Sequence, residues 1–98
     1  MEEKIIIFNN EQKEVLDNLN FGCNRLTGEE WDLVAKTLRI GHSTNERQLH
    51  IIKNSVNSYY KTKFEEALSR EEKVQLRDNL NGIHSVIDEI LMAKVGVI

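Results

Sequence analysis

Ninety-eight residues, 40% apolar and 30% charged with a formal net charge of −3, are the composition of one ordinary globular domain rather than of a disordered chain. No apolar run approaches the ~20 residues of a membrane span, and the acidic start Met1-Glu2-Glu3 does not read as a secretory signal. The single cysteine, Cys23, excludes an internal disulfide and a cysteine-built zinc site, so a cytoplasmic protein is expected. Ten asparagines with abundant lysine and isoleucine suggest an AT-rich genome, such as that of a low-GC bacterium or its phage.

In chain order, Lys4-Ile5-Ile6-Ile7-Phe8 is β-branched, short and bounded by Asn9-Asn10, and it reads as a strand over 4–8. Its only candidate partner is Val95-Gly96-Val97-Ile98, and without that partner it would offer an open edge to a second copy or another protein. Asn9 or Asn10 is placed to cap a short helix over 10–20. Thr27-Gly28-Glu29-Glu30 and Ser69-Arg70-Glu71-Glu72 are capping-box sequences, each ahead of a periodic apolar run. From the first, Trp31, Val34, Leu38, Leu49, Ile52, Val56, Tyr59 and Tyr60 share one apolar sector at 100° per residue. The phase is the same on both sides of Gly41-His42-Ser43-Thr44-Asn45, which favours one long helix over 28–64, kinked at 41–44. The opposing reading ends a helix at Gly41 and opens another with Ser43 and Glu46 as a further capping box. From the second box, Leu76, Leu80, Ile83, Ile87 and Ile90 repeat at heptad spacing along a helix over 70–94. The expected fold is mainly α, a single domain over 1–98. It is an antiparallel hairpin of two long helices, with a short N-terminal β-strand and a short helix packed on it.

Charge is segregated along the chain. Residues 36–63 carry six bases against the single acid Glu46, while 2–32 carry eight acids against three bases. Within the central segment Lys36, Arg39, Arg47, His50, Asn54 and Lys61 fall on one sector of the expected helix, well away from the apolar one. A solvated helix face usually mixes signs, so this basic stripe suits an acidic protein surface or a phosphate backbone. Leu33, Ile40 and Ile51 form a second narrow stripe that a two-helix contact leaves uncovered. It is a candidate interface for a partner or for a homodimer.

No glycine-rich phosphate loop, nucleophile elbow or facing carboxylate pair stands out, so no catalytic residue is assigned and no cofactor is expected. The nearest approach to a metal site is His42, Glu46 and His50, spaced i, i+4 and i+8 along one stripe. The bland reading of that stripe is a solvated polar face, and no metal is assigned. The segment Ala35-Lys36-Thr37-Leu38-Arg39-Ile40-Gly41-His42-Ser43-Thr44 resembles the turn region of helix-turn-helix DNA-binding proteins, with Ser-Thr opening the second helix. That resemblance implies that Arg47, Gln48, His50 and Asn54 face a major groove. The favoured expectation is a small non-catalytic regulator or inhibitor, of the kind phages and mobile elements encode, acting on another protein. A DNA-binding regulator is the alternative, and a metal-dependent enzyme a distant third.

Overall fold

The computed structural model describes residues 5–94. They are mainly helical, with four helices in order: α1 (Asn10–Asp17), α2 (Gly28–Leu38), α3 (Glu46–Glu66) and α4 (Arg70–Lys94). Side chains fix where each one starts. Asn9 Oδ1 accepts from the Gln12 N–H at 2.8 Å, and Gln12 Oε1 accepts from the Asn9 N–H at 2.9 Å. The same reciprocal pair opens α2, where Thr27 Oγ1 accepts from the Glu30 N–H and Glu30 Oε1 from the Thr27 N–H. Ser69 Oγ accepts from the Glu72 N–H at the start of α4.

The expected helix over 28–64 is two helices. One rod of that length would run about 55 Å, whereas the greatest extent of the molecule is 41 Å. The break begins earlier than Gly41. Arg39 adopts the left-handed conformation (φ 58°, ψ 46°), and the Ile40 N–H returns to the Ala35 carbonyl at 2.9 Å. This closes the helix and turns the Ile40 side chain into the core. Thr44 Oγ1 then accepts from the Gly41 N–H at 2.9 Å. Asn45, not Ser43, caps α3 by accepting from the Gln48 N–H at 2.8 Å. Phase continuity was misleading because the core lies between the helices, so each presents its apolar side to it whether or not the chain turns.

The N-terminal strand is also corrected. No strand occurs among the described residues; Lys4 and the suggested partner Val95–Ile98 lie outside them. Residues 5–8 do keep an extended chain's two-residue alternation, with Ile6 and Phe8 turned in and Ile5 and Ile7 out. They lie along α3 rather than against another strand, and the Ile6 N–H donates to Ser55 Oγ at 2.7 Å. The helix expected over 10–20 stops at Asp17. There the Asn18 N–H and side-chain amide both bond back to the Glu14 carbonyl, which frees Leu19 and Phe21 to enter the core.

The core is formed chiefly by Leu49, Ile52, Val56 and Tyr60 of α3 against Ile83, Val86, Ile87 and Ile90 of α4. These two helices run in opposite senses, since Lys53 meets Asp88 and Asn57 meets His84. Val34, Ala35 and Leu38 of α2 add a further apolar face. The 18–27 connector crosses α4 at two fixed points. Asn79 is buried: its Oδ1 accepts from the Phe21 N–H at 2.8 Å and its Nδ2 donates to the Leu19 carbonyl at 2.9 Å. Three residues on, Gly82 leaves room for the Phe21 ring.

Candidate functional site

The geometry of α3 divides the expected basic stripe in two. Leu49, Ile52, Val56 and Tyr60 fill its inner face. On the opposite side Arg47, His50, Asn54 and Lys61 stay within about 60° of one another at 100° per residue. Arg47, His50 and Lys61 are exposed and Asn54 is half-buried. Lys36 and Arg39 are exposed as well, but they belong to α2 and its terminus, on the other side of the 39–45 connector. Lys36 sits in the last turn of α2, where a cation offsets the negative end of the helix dipole.

The cations of α3 fall into two groups. Lys53 Nζ is 2.8 Å from Asp88 Oδ1, and Lys63 Nζ is 3.1 Å from Asp17 Oδ1, so both tie α3 to neighbouring helices. Arg47 and Lys61, by contrast, make no ion pair among the described residues, nor do Lys36 and Arg39. His50 has only the exposed Glu46, with 3.8 Å between Nε2 and Oε1. An exposed pair at that distance is worth little. The stripe therefore projects positive charge outward.

The three apolar candidates separate too. Ile40 is 8% exposed and belongs to the core, because the left-handed turn at Arg39 folds it inward. Leu33 remains 42% exposed on α2. Ile51 is half-buried and forms, with Ile5, Ile6, Asn45, Arg47 and Gln48, a groove of about 500 Å³ beside the basic stripe.

The histidine stripe does not form. His42 lies in the connector, its ring stacked on Trp31 at 6.3 Å between centroids, and its carbonyl accepts from Lys94 Nζ at 2.6 Å. Glu46 and His50 are left as neighbours on α3, without a third ligand from His42. The third histidine, His84, has Nε2 2.6 Å from Asn57 Oδ1. Burial lowers its pKa, and Lys53 adds to that effect while Asp88 opposes it.

Two arrangements escaped the sequence reading. Tyr59 Oη donates to Asp17 Oδ1 at 2.5 Å, and Lys63 Nζ lies 5.4 Å from the centre of the Tyr59 ring. Burial first, then the hydrogen bond and charge of Asp17, push the Tyr59 pKa upward. The Tyr59–Asp17 bond fastens α1 to α3. A larger groove, about 740 Å³, runs between the 22–26 connector and α4, with Asp78, Asp88, Glu89, Arg25 and Trp31 on its walls. Trp31 Nε1 donates to Glu89 Oε2 at 2.8 Å across it. No local pattern announces either arrangement, because each joins residues at least 42 positions apart.

No protein-family model, curated protein or solved structure matches this chain.

Proposed function

We propose that this chain is a non-catalytic binding protein that regulates or inhibits another protein by docking on its acidic surface. The observation that carries this reading is the division of labour on α3. Lys53 and Lys63 are held by the chain's own carboxylates, whereas Arg47 and Lys61 are exposed and make no ion pair among the described residues. A like-signed exposed stripe costs self-repulsion and contributes steering toward an opposite charge.

The test is affinity capture from the source cell with the wild-type chain and with Arg47→Glu/Lys61→Glu. The expected result is a partner retained by the wild type, lost with the double variant and released by salt, with the melting temperature unchanged. Equal capture by both proteins refutes the reading.

A second reading rests on the corrected geometry. Because α2 ends at Leu38 and α3 starts afresh at Glu46, Arg47, His50 and Asn54 occupy the outer side of the first turns of a separate helix. This is where a recognition helix carries its base-reading side chains. A gel shift against random duplex at low salt decides it: with no salt-sensitive retardation, the DNA-binding reading fails.

A further inference from the structure

The seam between α3 and α4 carries a second set of cations, which joins the Lys61 end of the basic stripe. Lys53 meets Asp88 and Asn57 meets His84, so further along this antiparallel pair Lys61 comes level with Leu80 and Phe64 with Arg77. At about 100° per residue, Lys73 and Arg77 each fall within about 20° of His84, and Phe64 within about 20° of Asn57. The acids of the same stretch of α4 are turned elsewhere: by that count Glu71, Glu72 and Asp78 lie at least about 120° from His84. Glu65 lies about 40° beyond Lys61, on the flank away from α4. Lys61, Lys73 and Arg77 are exposed and make no ion pair among the described residues. Between them Phe64 and Leu80 are half-buried against the core. The seam is thus a short apolar floor with cations on both walls. Leu68 adds apolar surface at the same end. It precedes the α4 cap Ser69, where an apolar residue ordinarily staples to the fourth helical position. That position is Lys73, and Leu68 stays 95% exposed.

The patch stands apart from both ends of the described chain. Leu80 is about 21 Å along α4 from Lys94, and four further residues span at most about 14 Å. Ile6 is bonded to Ser55, which is about 160° around α3 from Asn57.

We propose that this seam receives an amphipathic helix of the partner protein whose apolar ridge is flanked by carboxylates. Two antiparallel helices leave a groove that a third fills with side chains three or four residues apart. Phe64 and Leu80 are spaced along it by about one helical turn, so two such side chains reach both. Carboxylates on either side of the ridge then meet Lys61 on one wall and Arg77 and Lys73 on the other. A duplex phosphate backbone suits the patch less well. Its run of charge extends past the three cations to Glu65, Glu66, Glu71 and Glu72 around the α3–α4 turn, all of them exposed. The inference rests on the protein-binding reading and adds to it the place of docking and the partner's chemistry.

Fluorescence anisotropy with labelled, end-blocked peptides tests the proposal on the full chain. The probes are alanine-based helical peptides of about 18 residues. The first carries leucine at i and i+3 with glutamate at i−1 and i+4; the second has lysine for glutamate, and the third serine for leucine. The glutamate peptide should bind at least tenfold more tightly than the lysine peptide, and serine for leucine should weaken it at least fivefold. Lys73→Glu/Arg77→Glu, at two exposed positions, should weaken it at least tenfold with the melting temperature unchanged. Equal binding of the three peptides, none at millimolar concentration, or binding indifferent to the double variant overturns the proposal. So does retardation of random duplex DNA that the double variant abolishes while no peptide binds, which would give the patch to phosphates. A concentration-dependent dimer that the double variant dissolves also overturns it, by assigning the seam to a second copy. If cellular capture is lost with Arg47→Glu/Lys61→Glu but tolerates Lys73→Glu/Arg77→Glu, the seam inference falls while the protein-binding reading stands.

Discussion

Replacing Gly82 with alanine reverses the usual sign of that substitution. In an exposed helix interior, alanine is favoured over glycine by about 1 kcal/mol. At Gly82 an added Cβ would lie 2.6 Å from Phe21 Cδ2 and 3.2 Å from both Phe21 Cε2 and Leu26 Cδ2. The ring has little freedom to retreat. The Phe21 N–H donates to Asn79 Oδ1 at 2.8 Å, its carbonyl accepts from Gln75 Nε2 at 2.8 Å, and the side chain is buried. Overpacking of this kind costs about 1–3 kcal/mol. The 2.6 Å approach puts the cost in the upper part of that range, so that, set against the propensity gain, Gly82→Ala should lower stability by about 1–2 kcal/mol, or roughly 4–16 °C in melting temperature for a domain of this size. Circular dichroism melts and urea titrations at 222 nm measure it. A Phe21→Leu background should reduce the loss, because the smaller side chain removes the clash; the double-mutant cycle isolates that coupling. An unchanged or higher melting temperature for Gly82→Ala would show that the connector does not press on α4 at this point.

Arg39→Gly should raise stability by about 0.5–1 kcal/mol, since glycine adopts the left-handed conformation at less cost, and it should weaken partner binding if Arg39 contributes to it; urea midpoints and capture measure the two effects. Asn79→Ala should cost about 2–4 kcal/mol in urea denaturation, because it strands the buried Phe21 N–H and Leu19 carbonyl together. His84 gives a pH prediction. Its pKa is lowered in the folded state, first by burial and then by Lys53, so the unfolded chain binds its proton more readily. The stability it contributes is complete above the ordinary histidine pKa of about 6.5 and is lost as pH falls through the lowered folded value. The drop in melting temperature between pH 7.5 and 5.5 should be smaller in His84→Gln than in the wild type, and equal drops would refute the assignment.

How far the fold could be read from sequence follows the range of each signal. Capping residues act within one turn, so Thr27 and Glu30 located the start of α2, and Ser69 that of α4, without knowledge of anything distant. The heptad positions of α4 likewise marked its inner face, where Ile83, Ile87 and Ile90 have no exposure at all. The end of α2 was not legible in the same way. Arginine is a poor marker of a left-handed residue, and Arg39 adopts that conformation because Ile40 gains burial and a bond to Ala35. The strand failed for a related reason. Residues 5–8 have strand composition, yet a strand is defined by its partner, and α3 offered Ser55 and Tyr59 in that place.

The basic stripe shows where charge patterning stops being informative. Helical phase puts Arg47 and Lys61 on one sector and leaves Lys53 and Lys63 off it, but it does not say which cations meet a carboxylate. Tertiary placement decides that, because Asp88 and Asp17 reach α3 from elements that lie 35 or more positions away in the chain. Those two pairs remove Lys53 and Lys63 from the outward field and leave it concentrated at Arg47 and Lys61. The same placement sets Arg47 beside the Ile5–Ile6–Ile51 groove, a neighbourhood that neither the spacing of the cations nor that of the isoleucines contains.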